Sequence, residues 1–178
     1  MRALIGQARE AGARSLGLEV LERNVAARAL YDKLGFRALR RLEVYALAGP
    51  GRPPALTAVA CAPREARRRI QAARRADEPW QRADATLDRL DVSTPALRAI
   101  TTPGGDAVYR VTDGRANVLQ IHATSETSAG ILLDTMLSRE GGSLLRLLNV
   151  PDDDLAGAAL RKRGAECSAE QIEMSLSL

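Results

Sequence analysis

Few residues in this chain of 178 have the chemistry to move a proton or grip a ligand, so their spacing decides which of them matter. Asn24 and Tyr31 stand seven residues apart, and Ala27, Leu30, Tyr31 and Leu34 fall at the three- and four-residue intervals that gather side chains on one face of a helix. Taken singly, Asn24 is a good helix N-cap and Tyr31 an ordinary half-buried aromatic. His122 is the only histidine and shares one side of a predicted strand with Gln120. A general base is conceivable there, although a lone strand histidine is more often structural. Cys61 and Cys167 lie far apart, with no C-x-x-C or Cys/His cluster, so neither a zinc site nor a disulfide framework is expected. The basic helix over residues 64–75 spreads its arginines around an apolar stripe of Ala66, Ile70 and Ala73. That pattern suits a solvated face better than a nucleic-acid surface.

The elements that must position Asn24 and Tyr31 follow from local pattern. Residues 2–11 are strong helix formers ended by Gly12. Leu16, Leu18 and Val20 alternate on one side of a strand over residues 15–21. Asn24 opens a helix reaching about Leu34, Gly35 stops it, and residues 39–47 return as a strand. The run GPGRPP then reads as a linker, placed at residues 49–55. Beyond it we expect a strand at 56–60, helices at 64–76 and 80–90 with Pro63 and Pro79 at their starts, and three strands at 96–101, 107–112 and 117–123 joined by PGGD and DGR turns. A helix at 128–137, a strand at 144–148, a helix at 154–163 and a strand at 172–178 complete the order.

The chain also repeats itself. An offset of about 129 residues aligns Leu4 with Leu133, Gly12 with Gly141, Leu16 with Leu145, Leu18 with Leu147, Lys33 with Lys162 and Gly35 with Gly164. Residues 56–178 then read as one complete α/β domain, and residues 1–48 as the last part of another. Leu16, Leu18 and Val20 need cover that residues 1–48 do not supply, either from the second domain's sheet or from another subunit, so a homo-oligomer is one expectation.

Composition narrows the class. With 46% hydrophobic and 27% charged residues the chain is globular, and with only 3% aromatics its core must rest on Leu, Val and Ala. A net charge of +4 is too mild, and too evenly interleaved with acids, to mark a nucleic-acid binder. No apolar run approaches a membrane span and no signal peptide opens the chain, which makes the cytoplasm the default location.

The stretch LEVLERNVAARALYDKLGFRALRRLEVYAL, residues 18–47, resembles the C-terminal motif of the GNAT N-acetyltransferase superfamily: a strand, an Asn, a small residue, a Leu-Tyr pair and a Gly-Phe. Asn24, Ala27, Leu30, Tyr31, Gly35 and Phe36 hold those places. The element order after the linker is similar to the whole GNAT order. The resemblance implies an α/β GNAT-like acyl-CoA N-acyltransferase fold, acetyl-CoA as cosubstrate without a metal, and a small-molecule or peptide primary amine as acceptor. It makes Tyr31 the catalytic acid for the departing thiolate, with Asn24 bonding the pantetheine arm and Ala27, Leu30 and Tyr31 lining it. It also implies an Arg/Gln-x-x-Gly-x-Gly/Ala loop ahead of the first helix to hold the pyrophosphate. That loop would lie before Met1, so Met1 is expected to be an internal methionine or the start of a fragment, and the chain to be impaired. In the second domain TSETSAG at residues 124–130 keeps Gly130 and a capping Ser128, but Thr127 and Leu132 depart from the pattern. Asp153, Leu160 and Ala165 stand opposite Asn24, Tyr31 and Phe36, which marks that domain as degenerate. The alternative expectation is a non-catalytic scaffold or partner-binding module.

Overall fold

The computed structural model describes residues 1–49, 58–74, 77–91, 96–142 and 144–178. Its first elements are α1 (Arg2–Glu10), β1 (Ser15–Leu21), α2 (Val25–Lys33) and β2 (Arg37–Leu47). Then come β3 (Val59–Ala60), α3 (Pro63–Ala73), α4 (Asp84–Asp91), β4 (Arg98–Thr102), β5 (Gly105–Thr112) and β6 (Arg115–Ala123). Last are α5 (Glu126–Arg139), β7 (Leu144–Pro151), α6 (Leu155–Lys162) and β8 (Glu166–Ser177). Gly12, Gly35, Gly141 and Gly164, the stops aligned by the repeat, all take the positive φ that a side chain resists.

All eight strands join one open mixed sheet in the order β1-β8-β2-β7-β6-β5-β4-β3. β1 lies beside β8, the last strand of the chain, so the cover for Leu16, Leu18 and Val20 is intramolecular: they pack with Ile5, Ala27, Tyr31, Phe36 and Met174. The pairing register repeats with the sequence. An offset of 129 residues carries the pair Leu16 and Leu176 onto Leu145 and Leu47, and the pair Leu18 and Met174 onto Leu147 and Tyr45. Between β2 and β8 the same offset turns Arg37 opposite Ser175 into Glu166 opposite Ala46. Each half therefore lends its last strand to the other, and an approximate two-fold axis crosses the sheet at Leu42 and Gln171. A two-fold perpendicular to an antiparallel pair keeps α1 and α2 on the same face as α5 and α6.

The main core lies under α5 and α6 and joins Tyr45, Leu47, Val118, Leu133, Leu145, Leu147 and Leu160. On the opposite face α3 packs Ala66 and Ile70 against Leu87, Ala99 and Val108. Ala73 is exposed and drops out of the expected stripe. Arg67, Arg69 and Arg74 pair with Asp88, Asp106 and Asp84, so the charges of α3 serve largely to anchor it.

Several boundaries move. The helix expected from Trp80 begins at Asp84, because Pro79 heads a turn instead, closed by the Arg82 N–H to the Pro79 carbonyl at 2.8 Å. The last strand starts at Glu166 rather than residue 172, since β2 pairs with it from Ala46 onward. Ser125, not Ser128, caps α5: its hydroxyl accepts the Ser128 N–H at 3.1 Å. The linker beyond Gly49, the start of the strand at 56–60 and the end of the helix at 64–76 lie outside the described residues. No helix is long and apolar enough to cross a membrane among them.

Candidate functional site

β1 delivers its C-terminal end to the head of α2 with only Glu22 and Arg23 between. The Asn24 N–H donates to the Leu21 carbonyl at 2.9 Å, and the Asn24 side chain accepts the Ala27 N–H at 3.1 Å. Asn24 is thus an N-cap, and its remaining amide hydrogens face solvent. Removing the cap by Asn24→Ala should cost about 1 kcal/mol in a urea melt while Asn24→Ser stays near the parent, and equal midpoints for all three would contradict this role. Along the inner face of α2, Ala27 and Tyr31 pack with Leu18, Leu34 and Phe36. The Tyr31 and Phe36 rings are tilted by 60° with centroids 5.7 Å apart. The Tyr31 hydroxyl takes up no hydrogen bond among the described residues. Leu30 is not gathered with them; it turns outward and is 52% exposed.

A depression of about 520 Å³ adjoins the head of α2, lined by Leu21, Glu22, Arg23 and residues 167–170. Glu43, Cys167 and Glu170 bring one potential ligand atom each to within 4.8 Å of one another there. These groups are already engaged. Glu43 accepts from Arg161 and Tyr45 at 2.7 Å each, and Glu170 is paired with Arg41. Burial and the two carboxylates push the Cys167 thiol up, away from the thiolate a metal would want.

The opposite face of β1 carries Glu19, paired across strands with Glu173, which Arg40 holds at 2.6 Å. Residues 77–82 cross over this row. Burial pushes the Glu19 carboxyl above the usual range, and does the same to Glu78 despite Arg82 and Arg74 beside it.

The second half repeats this layout with different contents. β6 and β7 pair in parallel from Arg115 and Leu144 to Val118 and Leu147, then part. A bulge at Leu119 bends β6 at that point, and a second bulge places Asn149 at φ 53 in β7. Arg82 fills the opening. Its guanidinium reaches the Asn149 carbonyl at 3.4 Å and pairs with Glu78 at 3.0 Å, while its own carbonyl accepts from Gln120 at 2.7 Å. Gln120 is thereby committed to structure, and His122 stands across from Asp106 in the β5–β6 pair. The head of α5 is closed as well. Arg163 lies against Gly130, where a Cβ would sit 2.1 Å from its nitrogen, and binds the buried Asp134 through two bonds of 2.9 and 2.7 Å. Gly104 packs on Ser128 in the same way. Leu160, which the 129-residue offset matches with Tyr31, is fully buried.

Neither Arg82 nor Arg163 was marked by local pattern, since one arginine among many carries no signature. Asn149 alone had a hint, a polar residue inside the apolar run LLNV.

Comparison with known proteins adds the following. The model of the acetyltransferase (GNAT) family matches residues 1–36. No curated protein matches the chain. Among solved structures, a GCN5-related N-acetyltransferase from Sphaerobacter thermophilus superposes with a TM-score of 0.67 at 15% identity, over 96% of this chain and 64% of that one. One from Kribbella flavida gives 0.66 at 18% identity, over 98% and 73%. A putative acetyltransferase from Pyrococcus horikoshii gives 0.66 at 16% identity, over 99% and 58%. The fold is therefore that of the GNAT-like N-acetyltransferases, and the chain spans less than two thirds of the Sphaerobacter and Pyrococcus proteins.

Proposed function

We propose that the protein is an acetyl-CoA-dependent N-acetyltransferase whose chemistry belongs to the first half, residues 1–48, with the second half, residues 56–178, a degenerate copy that serves as its structural partner. The observation that carries this reading is the contrast between the two halves at equivalent places. The first keeps a hydroxyl at Tyr31, with no hydrogen bond among the described residues; the second has the buried Leu160 there, and Arg82 fills the opening between its β6 and β7.

In this reading a primary amine of a small molecule or peptide attacks the thioester carbonyl. The tetrahedral adduct collapses with cleavage of the C–S bond, and Tyr31 gives its hydroxyl proton to the leaving thiolate while the amine loses one to solvent. Asn24 offers its free amide hydrogens to the pantetheine arm, and Ala27, Leu30 and Tyr31 line its path. Positioning and proton handling are the whole of the catalysis, and no metal enters. In the second half Arg163 and Ser128 close the helix head that would meet a pyrophosphate.

The test is thiol release from acetyl-CoA in the presence of a primary amine. Slow, saturable release is expected, and Tyr31→Phe should lower kcat about 100-fold while leaving acetyl-CoA affinity unchanged. Release that survives Tyr31→Phe would remove the tyrosine from the mechanism. Absence of release, with no rise in melting temperature at millimolar acetyl-CoA, would favour the alternative of a non-catalytic module built on the same fold.

A further inference from the structure

The two halves meet on the face of β1 that points away from Tyr31. Glu19 stands there beside Glu173, its partner across β1 and β8. These carboxylates have one guanidinium between them: Arg40 gives its Nε to Glu173 at 2.6 Å and a terminal nitrogen to the Asp77 carbonyl at 2.8 Å. The neighbouring cations, Arg74 and Arg82, are taken up by Glu78, Asp84 and Asp154. Glu19 forms no ion pair among the described residues. It receives side-chain hydrogen bonds from Asn149 and Trp80, both of the second half. Two acceptors are left over. Glu19 Oε1 and Asn149 Oδ1 are shut off from solvent without a hydrogen-bond partner among the described residues, and Asn149 as a whole is 1% exposed. Because the amide donates to the carboxylate, its own oxygen and the second carboxylate oxygen lie within reach of one small group.

Water in that place would satisfy the open acceptors but leave the second carboxylate charge without a counterpart, which is costly away from solvent. Calcium or magnesium would need several more oxygens than these two. An ammonium group brings N–H donors and positive charge together. Its carbon stem also finds a surface: the Trp80 ring, 57% exposed, stands at the outer side of Glu19, and the Thr86 hydroxyl fixes its backbone by donating to the Trp80 carbonyl at 2.5 Å. We propose that Glu19, Asn149 and Trp80 form a binding site for a primary alkylammonium ion, built jointly by the two halves. Glu19 Oε1 and Asn149 Oδ1 accept its N–H groups, Glu19 balances its charge, and the indole carries its chain. The site uses none of the residues assigned to acetyl transfer, so its failure and the failure of that reading are separate results.

Trp80 is the only tryptophan in the chain, so its emission reports on this site alone. The probe is n-butylammonium chloride, titrated into the intact protein up to the high-millimolar range, with sodium chloride at equal ionic strength as the reference. A saturable change in Trp80 emission is expected, together with a rise in melting temperature that grows with probe concentration. Tetramethylammonium, which has the charge but no N–H, should produce neither. Glu19→Gln keeps the shape, removes a poorly balanced buried charge and so should fold at least as well, yet it should weaken binding by about tenfold or more. Absence of both signals with n-butylammonium, an equal response to tetramethylammonium, a response to calcium or magnesium in place of the amine, or binding indifferent to Glu19→Gln would each overturn the proposal.

Discussion

Replacing Arg82 by alanine should lower the stability of the protein by about 3–5 kcal/mol, the usual cost of breaking a buried ion pair from one side. The side chain is 3% exposed and stands between Glu78 and Asp154. Its loss leaves Glu78 buried with Arg74 at 3.7 Å and the weaker influence of Arg40. The pH dependence follows in sign. Burial already raises the Glu78 pKa, and removing Arg82 raises it further. A carboxyl with a raised folded pKa favours the folded state below its unfolded pKa and loses that contribution as pH rises through the folded value. The deficit of Arg82→Ala should accordingly be largest at neutral pH and shrink on acidification toward the ordinary carboxylate range. Urea melts at several pH values read this directly. A deficit under 1 kcal/mol, or one that grows in acid, would mean that Arg82 does not hold the parted strands together.

The second large effect is a contrast between equivalent residues. Leu133→Ala should cost about 2–5 kcal/mol, because its side chain is fully buried under α5 and little around it can collapse. Leu4→Ala, the same change at the matching place in α1, should alter stability by no more than about 0.5 kcal/mol, because half of that side chain is already in water. Chemical denaturation of the two variants measures both. Comparable losses would show that α1 is roofed as α5 is.

Much of this was legible in the sequence because it is local. The alternation of Leu16, Leu18 and Val20, the Asn24 cap, the spacing of Ala27 and Tyr31 and the stop at Gly35 depend on a few neighbouring residues, and each appears in its expected place. The offset of 129 residues was visible too, in six identities, and the β1–β8 and β2–β7 pairings follow the same offset. The exchange of last strands between halves was not. It depends on β8 finding β1 and β2 across more than 120 residues, and no local period records which neighbour a strand takes. The bulges at Leu119 and Asn149 escaped for a related reason: each is an agreement between two strands about register, not a property of either. Local pattern points to Ser128 as a cap, whereas the Ser125 hydroxyl accepts the Ser128 N–H in the structure, a choice that residue type alone does not record.

Acetyl-CoA chemistry, as proposed, belongs to the first half and not the second. The most direct measurement is a titration of the 15N- and methyl-labelled protein with acetyl-CoA, followed residue by residue. The account predicts saturable shifts, weak but specific, at Asn24, Ala27, Leu30 and Tyr31 and at the end of β1, with residues 154–160 and the surroundings of Arg82 undisturbed. Shifts gathered instead around α6 and the head of α5, or none anywhere at millimolar ligand, would contradict it.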